Sequence, residues 1–131
     1  MNNTLIKGLH LLDIMARHGK PIGVSELANV AGMPKSGAHR LLQALVDEHY
    51  VVRVPPASYT VSIKLWELGS AALWSFDLRR HADALMETLM QSTGESVHLS
   101  VLDGREVVYV HKVECPNPIR AYSQIGGRSQ A

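Results

Sequence analysis

Hydrogen-bonding side chains share one face of a helix that the sequence predicts from about residue 34 to residue 48, and apolar residues fill the opposite face. These side chains are Lys35, Ser36, His39, Arg40 and Gln43. On an exposed helix, arginine and glutamine can reach guanine or adenine in the major groove of DNA, while lysine and serine near the helix N-terminus suit a phosphate. A polar helix face by itself more often indicates a solvated surface than a DNA contact.

Small residues at fixed spacing precede and enter this helix. Ala28 lies on a short predicted helix, Gly32 follows at the turn, and Ala38 and Leu41 face inward from the next helix. Two helices that cross at a steep angle through a short turn leave room only for small side chains at the crossing. The spacing therefore predicts a helix-turn-helix whose core residues are Ala28, Gly32, Ala38 and Leu41.

Hydrophobic periodicity predicts the elements on either side of this motif. A first helix is expected over Thr4 to His18, and Ser25 is expected to cap the second helix. The apolar stripe of the first helix is Leu5, Leu9, Leu12, Met15 and Ala16. After Tyr50, alternating residues around the turn Pro55–Ser58 predict a β-hairpin. A hairpin in this position is the wing of a winged helix-turn-helix. Arg53 is its natural contact with phosphate or the minor groove, and the alternative is that Arg53 is only solvated.

Two further helices follow the hairpin. Their apolar residues recur at helical spacing over Lys64 to Trp74 and over Asp77 to Thr93. Trp66 and Trp74 lie eight residues apart near one face of the first of these helices. The two tryptophans are either core residues or part of an interface between subunits, and we favour the interface because large aromatic side chains are typical of it.

Beyond these helices the pattern returns to strands, so the chain as a whole is predicted to be α+β. Two β-rich runs over 96–102 and 107–113 flank Asp103-Gly104, which predicts a hairpin. That turn would place His98 opposite Tyr109 and make His98 a diagonal neighbour of His111. No carboxylate beside the two histidines has ligand spacing, so we predict no metal site.

The last part of the chain gives weaker signals. A third strand is expected over Ile119 to Ser123. The run Gly126-Gly127-Arg128 lacks the helix and the lysine of a phosphate-binding loop, so it is expected to be an ordinary loop.

Composition and charge exclude several classes of protein. Hydrophobic residues make up 46% of the chain and charged residues 19%, which is typical of a globular protein. No apolar run approaches the roughly 18 residues that span a membrane, and the N-terminus lacks a secretion signal, so a cytoplasmic protein without a membrane partner is expected. Cys115 is the only cysteine, which excludes an internal disulfide. The net charge of +1 leaves the prediction of DNA binding to geometry.

Catalytic chemistry is not indicated. Ser100, His98 and Asp103 are the residue types of a hydrolytic triad, but no sharp nucleophile turn or glycine-rich oxyanion loop accompanies them. We therefore predict neither an enzyme nor a cofactor.

Long stretches of the chain resemble one family of regulators. The run IKGLHLLDIMARHGKPIGVSELANVAGMPKSGAHRLLQALVDEHYVVR resembles the DNA-binding domain of the IclR family, in which a "PKS..HRLL" recognition helix is characteristic. The runs GESVHLSVLDGREVVYVHKVE and IGGR resemble the start of that family's effector-binding domain.

The resemblance implies a domain organisation and a set of partners. A winged helix-turn-helix domain is expected over 1–63, a linker helix over 64–76, and the start of a GAF-like α/β effector-binding domain, incomplete here, over 77–131. The family forms homodimers through its DNA-binding part, and often tetramers. It also takes a small-molecule effector, whose pocket is expected to lie largely beyond this chain.

The predicted function is sequence-specific binding of double-stranded DNA by a transcription regulator, with the recognition helix in the major groove. Lys35, Ser36, His39 and Arg40 match the recognition-helix motif of the IclR family, so the resemblance implies DNA contact at these positions. Two alternatives stay open. A winged helix can bind another protein through the same surface, or the shortened regulator is without function.

Overall fold

The structure, a computed structural model, describes residues 3–75, 78–116 and 123–131. The chain divides into two compact units, Met1–Gly69 and Ser70–Ala131. The border between them lies inside the helix that the sequence predicts as a linker. Each unit has its own small sheet.

The described residues of the first unit form helices around a small antiparallel sheet. Its elements are α1 (Asn3–His18), β1 (Ile22–Gly23), α2 (Val24–Val30), α3 (Lys35–Asp47), β2 (Val51–Val54), β3 (Ser58–Val61) and the first half of α4 (Ile63–Ser75). The strand order is β1-β3-β2, and Tyr59 of β3 pairs with both Ile22 and Arg53. The predicted wing is thus the hairpin β2-β3, extended by β1, which the sequence analysis missed.

Apolar side chains from the helices and the sheet share one core in this unit. Leu11 of α1, Leu27 of α2 and Leu42 of α3 are fully buried, and Ile22 and Val51 reach the same cluster from the sheet. Burial of a leucine side chain stabilises a fold by roughly 1.5–3 kcal/mol. This core therefore holds α3 by its inner face. On α1, Leu5 and Leu9 of the predicted core stripe are instead exposed.

The turn between α2 and α3 is set by backbone geometry. Gly32 adopts a φ of 62°, and the N–H of Met33 donates to the carbonyl of Ala28 at 3.0 Å. This left-handed residue and its back-reaching hydrogen bond end α2 and reverse the chain. The expected cap at Ser25 is wrong: the chain enters α2 directly from β1, so Gly23 is the N-cap residue and Ser25 falls inside the first turn.

The C-terminal end of α3 is held by the start of α4. The hydroxyl of Ser62 donates to the carbonyl of His49, which has a φ of 63°. The ammonium of Lys64 donates to the carbonyl of Glu48 at 2.7 Å and lies 4.2 Å from the centre of the Tyr50 ring. Two carbonyls directly after α3 thus receive hydrogen bonds, one from Ser62 just before α4 and one from Lys64 in its first turn.

The second unit packs one helix against a second antiparallel sheet. Its elements are the rest of α4, α5 (Leu78–Thr93), β4 (Val97–Asp103), β5 (Glu106–Val113) and β6 (Arg128–Gln130), with strand order β4-β5-β6. The buried ring of His111 bonds through Nε2 to Asp83 of α5 at 2.6 Å, which ties the helix to β5.

The register of the β4-β5 hairpin differs from the prediction. Asp103 pairs with Glu106, so the turn comes one residue later than expected, and a bulge between Leu99 and Ser100 shifts the register again. His98 consequently lies opposite Lys112 rather than Tyr109. Since His111 lies opposite Leu99, the two histidines occupy opposite faces of the sheet.

The end of the chain also departs from expectation. Most of the strand predicted over Ile119–Ser123 lies outside the described residues, and Ser123 itself is not in a strand. Arg128, expected in a loop, begins β6 instead. Hydrogen bonds from Arg128 to Asp103 and Glu106 raise the pKa of its guanidinium above the usual value, and so attach β6 to the hairpin through charged groups.

The hydrogen bonds from Ser62 and Lys64 to the end of α3, which we call the clasp, give a stability prediction. We expect Lys64→Met to lower the free energy of unfolding by about 1 kcal/mol, because the Glu48 carbonyl loses its charged donor and Tyr50 loses its cation. The measurement is urea denaturation followed by far-UV circular dichroism. Lys20→Met, at an exposed lysine in the turn after α1, is the control and is expected to stay within about 0.5 kcal/mol. Equal effects of the two substitutions would contradict the clasp.

Candidate nucleic-acid interface

The crossing of α2 and α3 determines which face of α3 points outward. Ala28 and Ala38 are buried where the two helices pack together, and Leu41 is buried beside them. Gly32 lies in the turn that joins the helices, with its left-handed conformation. Three of the four residues that were assigned to the core of the motif are thus buried, and Gly32 is exposed in the turn.

The outer face of α3 carries the side chains predicted to contact DNA. Lys35, Ser36, His39 and Arg40 are exposed, and Gln43 is half-buried. These positions are polar and exposed because the inner face is already committed to the core. The arrangement presents a row of hydrogen-bonding groups along a helix whose opposite side is fixed.

The N-terminal end of α3 is suited to an anion. Pro34 is the N-cap residue with an extended conformation, and no side-chain cap is present there among the described residues. The first backbone N–H groups of a helix point along its axis and carry partial positive charge, which favours a phosphate. Lys35 and Ser36 stand in this first turn.

A second cation, Lys7, lies near this end of α3 and was missed by the sequence analysis. Lys7 and Arg40 line one depression, together with Gly37 and the N-terminal turn of α1. No local sequence signal could have linked Lys7 to α3, since only the packing of α1 against α3 brings the two together. The positive charge on this surface is therefore larger than α3 alone provides.

A groove separates α3 from the wing. His39 of α3 and Arg53 of β2 line it, together with the wing turn and Val24. Its volume is about 530 Å³. Helix α3 and the wing thus form two walls of one surface, with a basic or titratable side chain on each wall.

Arg53, Gln43 and Asp47 form a chain of hydrogen bonds across the base of the wing. The Arg53 guanidinium donates through Nη2 to Oε1 of Gln43, and Nε2 of Gln43 donates to Oδ1 of Asp47 at 2.6 Å. From the sequence, Arg53 and Gln43 were expected to be separate contacts with DNA, and Asp47 had no predicted role. The spacing of four residues between Gln43 and Asp47 was a readable signal, whereas the bond to Arg53 depends on how the hairpin folds back.

Other kinds of site receive no support from the described residues. Within residues 3–75, 78–116 and 123–131, no group of three or more His, Cys, Asp or Glu side chains could hold a metal ion. His98 instead makes an edge-to-face contact with Tyr109, with 5.6 Å between ring centres. None of the helices in this part of the chain has the length and apolar character that a membrane crossing requires.

Two models of one protein family match the chain, each over one part of it. The IclR helix-turn-helix domain matches residues 4–55, and the bacterial transcriptional regulator IclR C-terminal domain matches residues 70–131. The first match contains α1, α2, α3 and β2. The second contains the later part of α4 and all of the second sheet.

Named regulators are similar to the chain over most of its length. It is 33% identical over 128 residues to the HTH-type transcriptional regulator KipR of Bacillus subtilis, covering 98% of this chain and 51% of that protein. It is 39% identical over 111 residues to KdgR of Escherichia coli, covering 84% of this chain and 42% of that protein. The chain thus spans about half the length of these curated relatives.

A solved structure supports the same relationship. The crystal structure of the Thermotoga maritima IclR superimposes with a TM-score of 0.77 at 34% sequence identity, over 99% of this chain and 53% of that one. The sequence and the backbone therefore agree on one family.

Proposed function

Because the chain belongs to the IclR family of bacterial transcriptional regulators, we propose that it binds double-stranded DNA sequence-specifically and so regulates transcription. The observation that carries the proposal is the outer face of α3, a polar surface on a helix whose inner face is locked into the core. A recognition helix needs both properties, since its side chains must meet the base edges at fixed positions.

Individual roles follow from the position of each side chain on α3. We assign Lys35 and Ser36 to phosphates because they stand at the positive end of the helix dipole. Arg40 is assigned to a base, because an arginine can donate two hydrogen bonds to a guanine in the major groove. His39 faces the groove beside the wing, where it can meet the backbone or a base. Lys7 adds a phosphate contact from α1.

The rest of the chain is assigned by the same proposal. We place the winged helix-turn-helix domain over 1–63, a linker helix over 64–76 and part of an effector-binding domain over 77–131. We propose that the effector-binding domain takes a small molecule, as expected for the family in general. Since the relatives named above are transcription regulators, we propose no enzymatic activity, and we propose the cytoplasm as the location because the DNA is there.

A homodimer is the proposed binding form. Exposed apolar side chains lie on α1 at Leu5, Ile6 and Leu9, and on α4 at Ile63 and Trp66. Large apolar side chains in such numbers on one small domain favour an interface, because their burial against a second copy removes apolar surface from water. Trp66 belongs to the predicted tryptophan pair, while the side chain of Trp74 lies outside the described part of the chain. A two-fold dimer would read a palindromic site.

The DNA-binding proposal predicts a charge-specific loss. In a fluorescence-anisotropy titration against a duplex selected from a random library, we expect binding to weaken steeply with salt. Arg40→Ala should weaken binding to the selected duplex by about 10- to 100-fold, since one bidentate base contact is lost. Arg17→Ala is the matched control, because Arg17 is an exposed arginine paired with Asp13 near the other end of α1. We expect it to change the affinity less than about threefold.

Two results would contradict this proposal. The first is equal loss in the Arg40 and Arg17 variants, which would indicate binding through net charge alone. The second is absence of binding by a folded dimer, which would favour the alternative that the same surface binds a protein.

The dimer proposal predicts a difference between two equally exposed sites. Leu9 on α1 is 57% exposed and Val30 on α2 is 61% exposed. We expect Leu9→Arg to shift the protein toward the monomer in sedimentation velocity, because a charge would be buried in the interface. Val30→Arg should leave the dimer intact. An unchanged dimer in the Leu9 variant would exclude the α1 face as the interface.

A further inference from the structure

We propose that Asp47 is a specificity-determining positioning residue: it orients the Gln43 amide so that the amide oxygen holds Arg53 beside α3, where Arg53 reads a base. This inference rests on the proposed DNA binding through α3. In this inference Gln43 links Asp47 to Arg53 and does not contact a base; we call this linking role the bracket. Arg53 contacts a base rather than a phosphate.

The polarity of the three side chains permits only one arrangement of the amide. A carboxylate only accepts hydrogen bonds and a guanidinium only donates them. Asp47 therefore takes the amide nitrogen of Gln43, at 2.6 Å, and the amide oxygen is left to face Arg53. A flipped amide would set donor against donor at Arg53 and acceptor against acceptor at Asp47. Asp47 and Arg53 thus select the same orientation of the amide, and Asp47 anchors the end of Gln43 that faces away from the arginine.

Both polar atoms of the Gln43 amide already have a charged partner in this arrangement. Recognition of adenine by glutamine uses the amide oxygen and the amide nitrogen together, and here both are already engaged. The amide keeps one N–H and one oxygen lone pair, but turning both of them toward an adenine would disturb the hydrogen bonds to a charged donor and a charged acceptor. Such bonds are stronger than those between neutral groups.

Arg53 retains the donors that a base contact needs. A guanidinium has five N–H groups in a planar fork, and the bond to Gln43 uses one of them. Arg53 is exposed, and it lines the groove between α3 and the wing opposite His39. Held in this place, it suits a base that presents two acceptors, as guanine does in the major groove.

Simple electrostatics makes the opposite prediction for Asp47. An exposed carboxylate on a DNA-binding face repels phosphates, so its removal would tighten binding to every duplex equally. Positioning instead predicts a change in preference at one base pair. Affinity and discrimination therefore have to be measured separately.

The experiment uses the full chain and a duplex selected by the wild-type protein from a random library. Dissociation constants are measured for this duplex and for duplexes with single base-pair substitutions across the site. We expect Asp47→Ala to reduce discrimination at one guanine position by about 10-fold, and Arg53→Ala to lose discrimination at that same position. Asp47→Asn is the matched control: it removes the charge and keeps an acceptor for the Gln43 nitrogen, so most of the discrimination should remain.

A second variant tests the bracket at Gln43, the residue that links Asp47 to Arg53. Gln43→Met keeps the length of the side chain and removes both hydrogen bonds. We expect it to lose discrimination at the position that Asp47→Ala affects, and the double variant to lose no more than either single one. Circular dichroism on each variant checks that the fold is kept.

The outcomes separate this inference from the proposed function. If Asp47→Ala and Asp47→Asn both bind all duplexes more tightly with unchanged discrimination, Asp47 is only a repelling charge and the inference is wrong. If Gln43→Met loses preference for adenine instead of guanine, Gln43 reads a base itself and the inference is wrong. If the wild-type protein selects no duplex, the proposed function fails, and the inference fails with it.

Discussion

The burial of one face of α3 is the constraint on which the rest of the first unit depends. Leu42 and Ala38 are fully buried, and the small side chains of Ala28 and Ala38 let α2 and α3 approach closely. A larger side chain at the crossing would force the helices apart, since protein interiors leave little room for added volume. The core consequently determines which face of α3 points outward. The polar residues on that face are solvated, so they are available to a ligand.

Both ends of α3 are fixed by neighbouring segments rather than by α3 itself. The turn at Gly32 sets where the helix starts. Where it ends, Ser62 just before α4 and Lys64 in the first turn of α4 supply donors to the carbonyls. The helix proposed to read DNA is therefore bonded directly to the helix proposed as the linker. A rotation of α4 would therefore have to break or move the bond from Lys64.

The sequence predicted the features that depend on local periodicity and spacing. The helices, the wing hairpin and the small residues of the crossing all follow from patterns within about 15 residues. Three features could not be predicted because they arise from packing between distant segments. They are strand β1, the position of Lys7 near Arg40, and the hydrogen bond from Arg53 to Gln43. The β4-β5 register was predicted wrongly because the turn comes one residue later than expected and because a bulge leaves no signal in an alternating pattern.

The central claim is that the N-terminal half of α3 lies against DNA, and lysine labelling measures this most directly. The chain is acetylated briefly with and without a saturating duplex, and the modification of each lysine is quantified by mass spectrometry. The account predicts strong protection of Lys35 and unchanged labelling of Lys20, an exposed lysine in the turn after α1. Equal labelling of Lys35 in the free and the fully bound protein would contradict it.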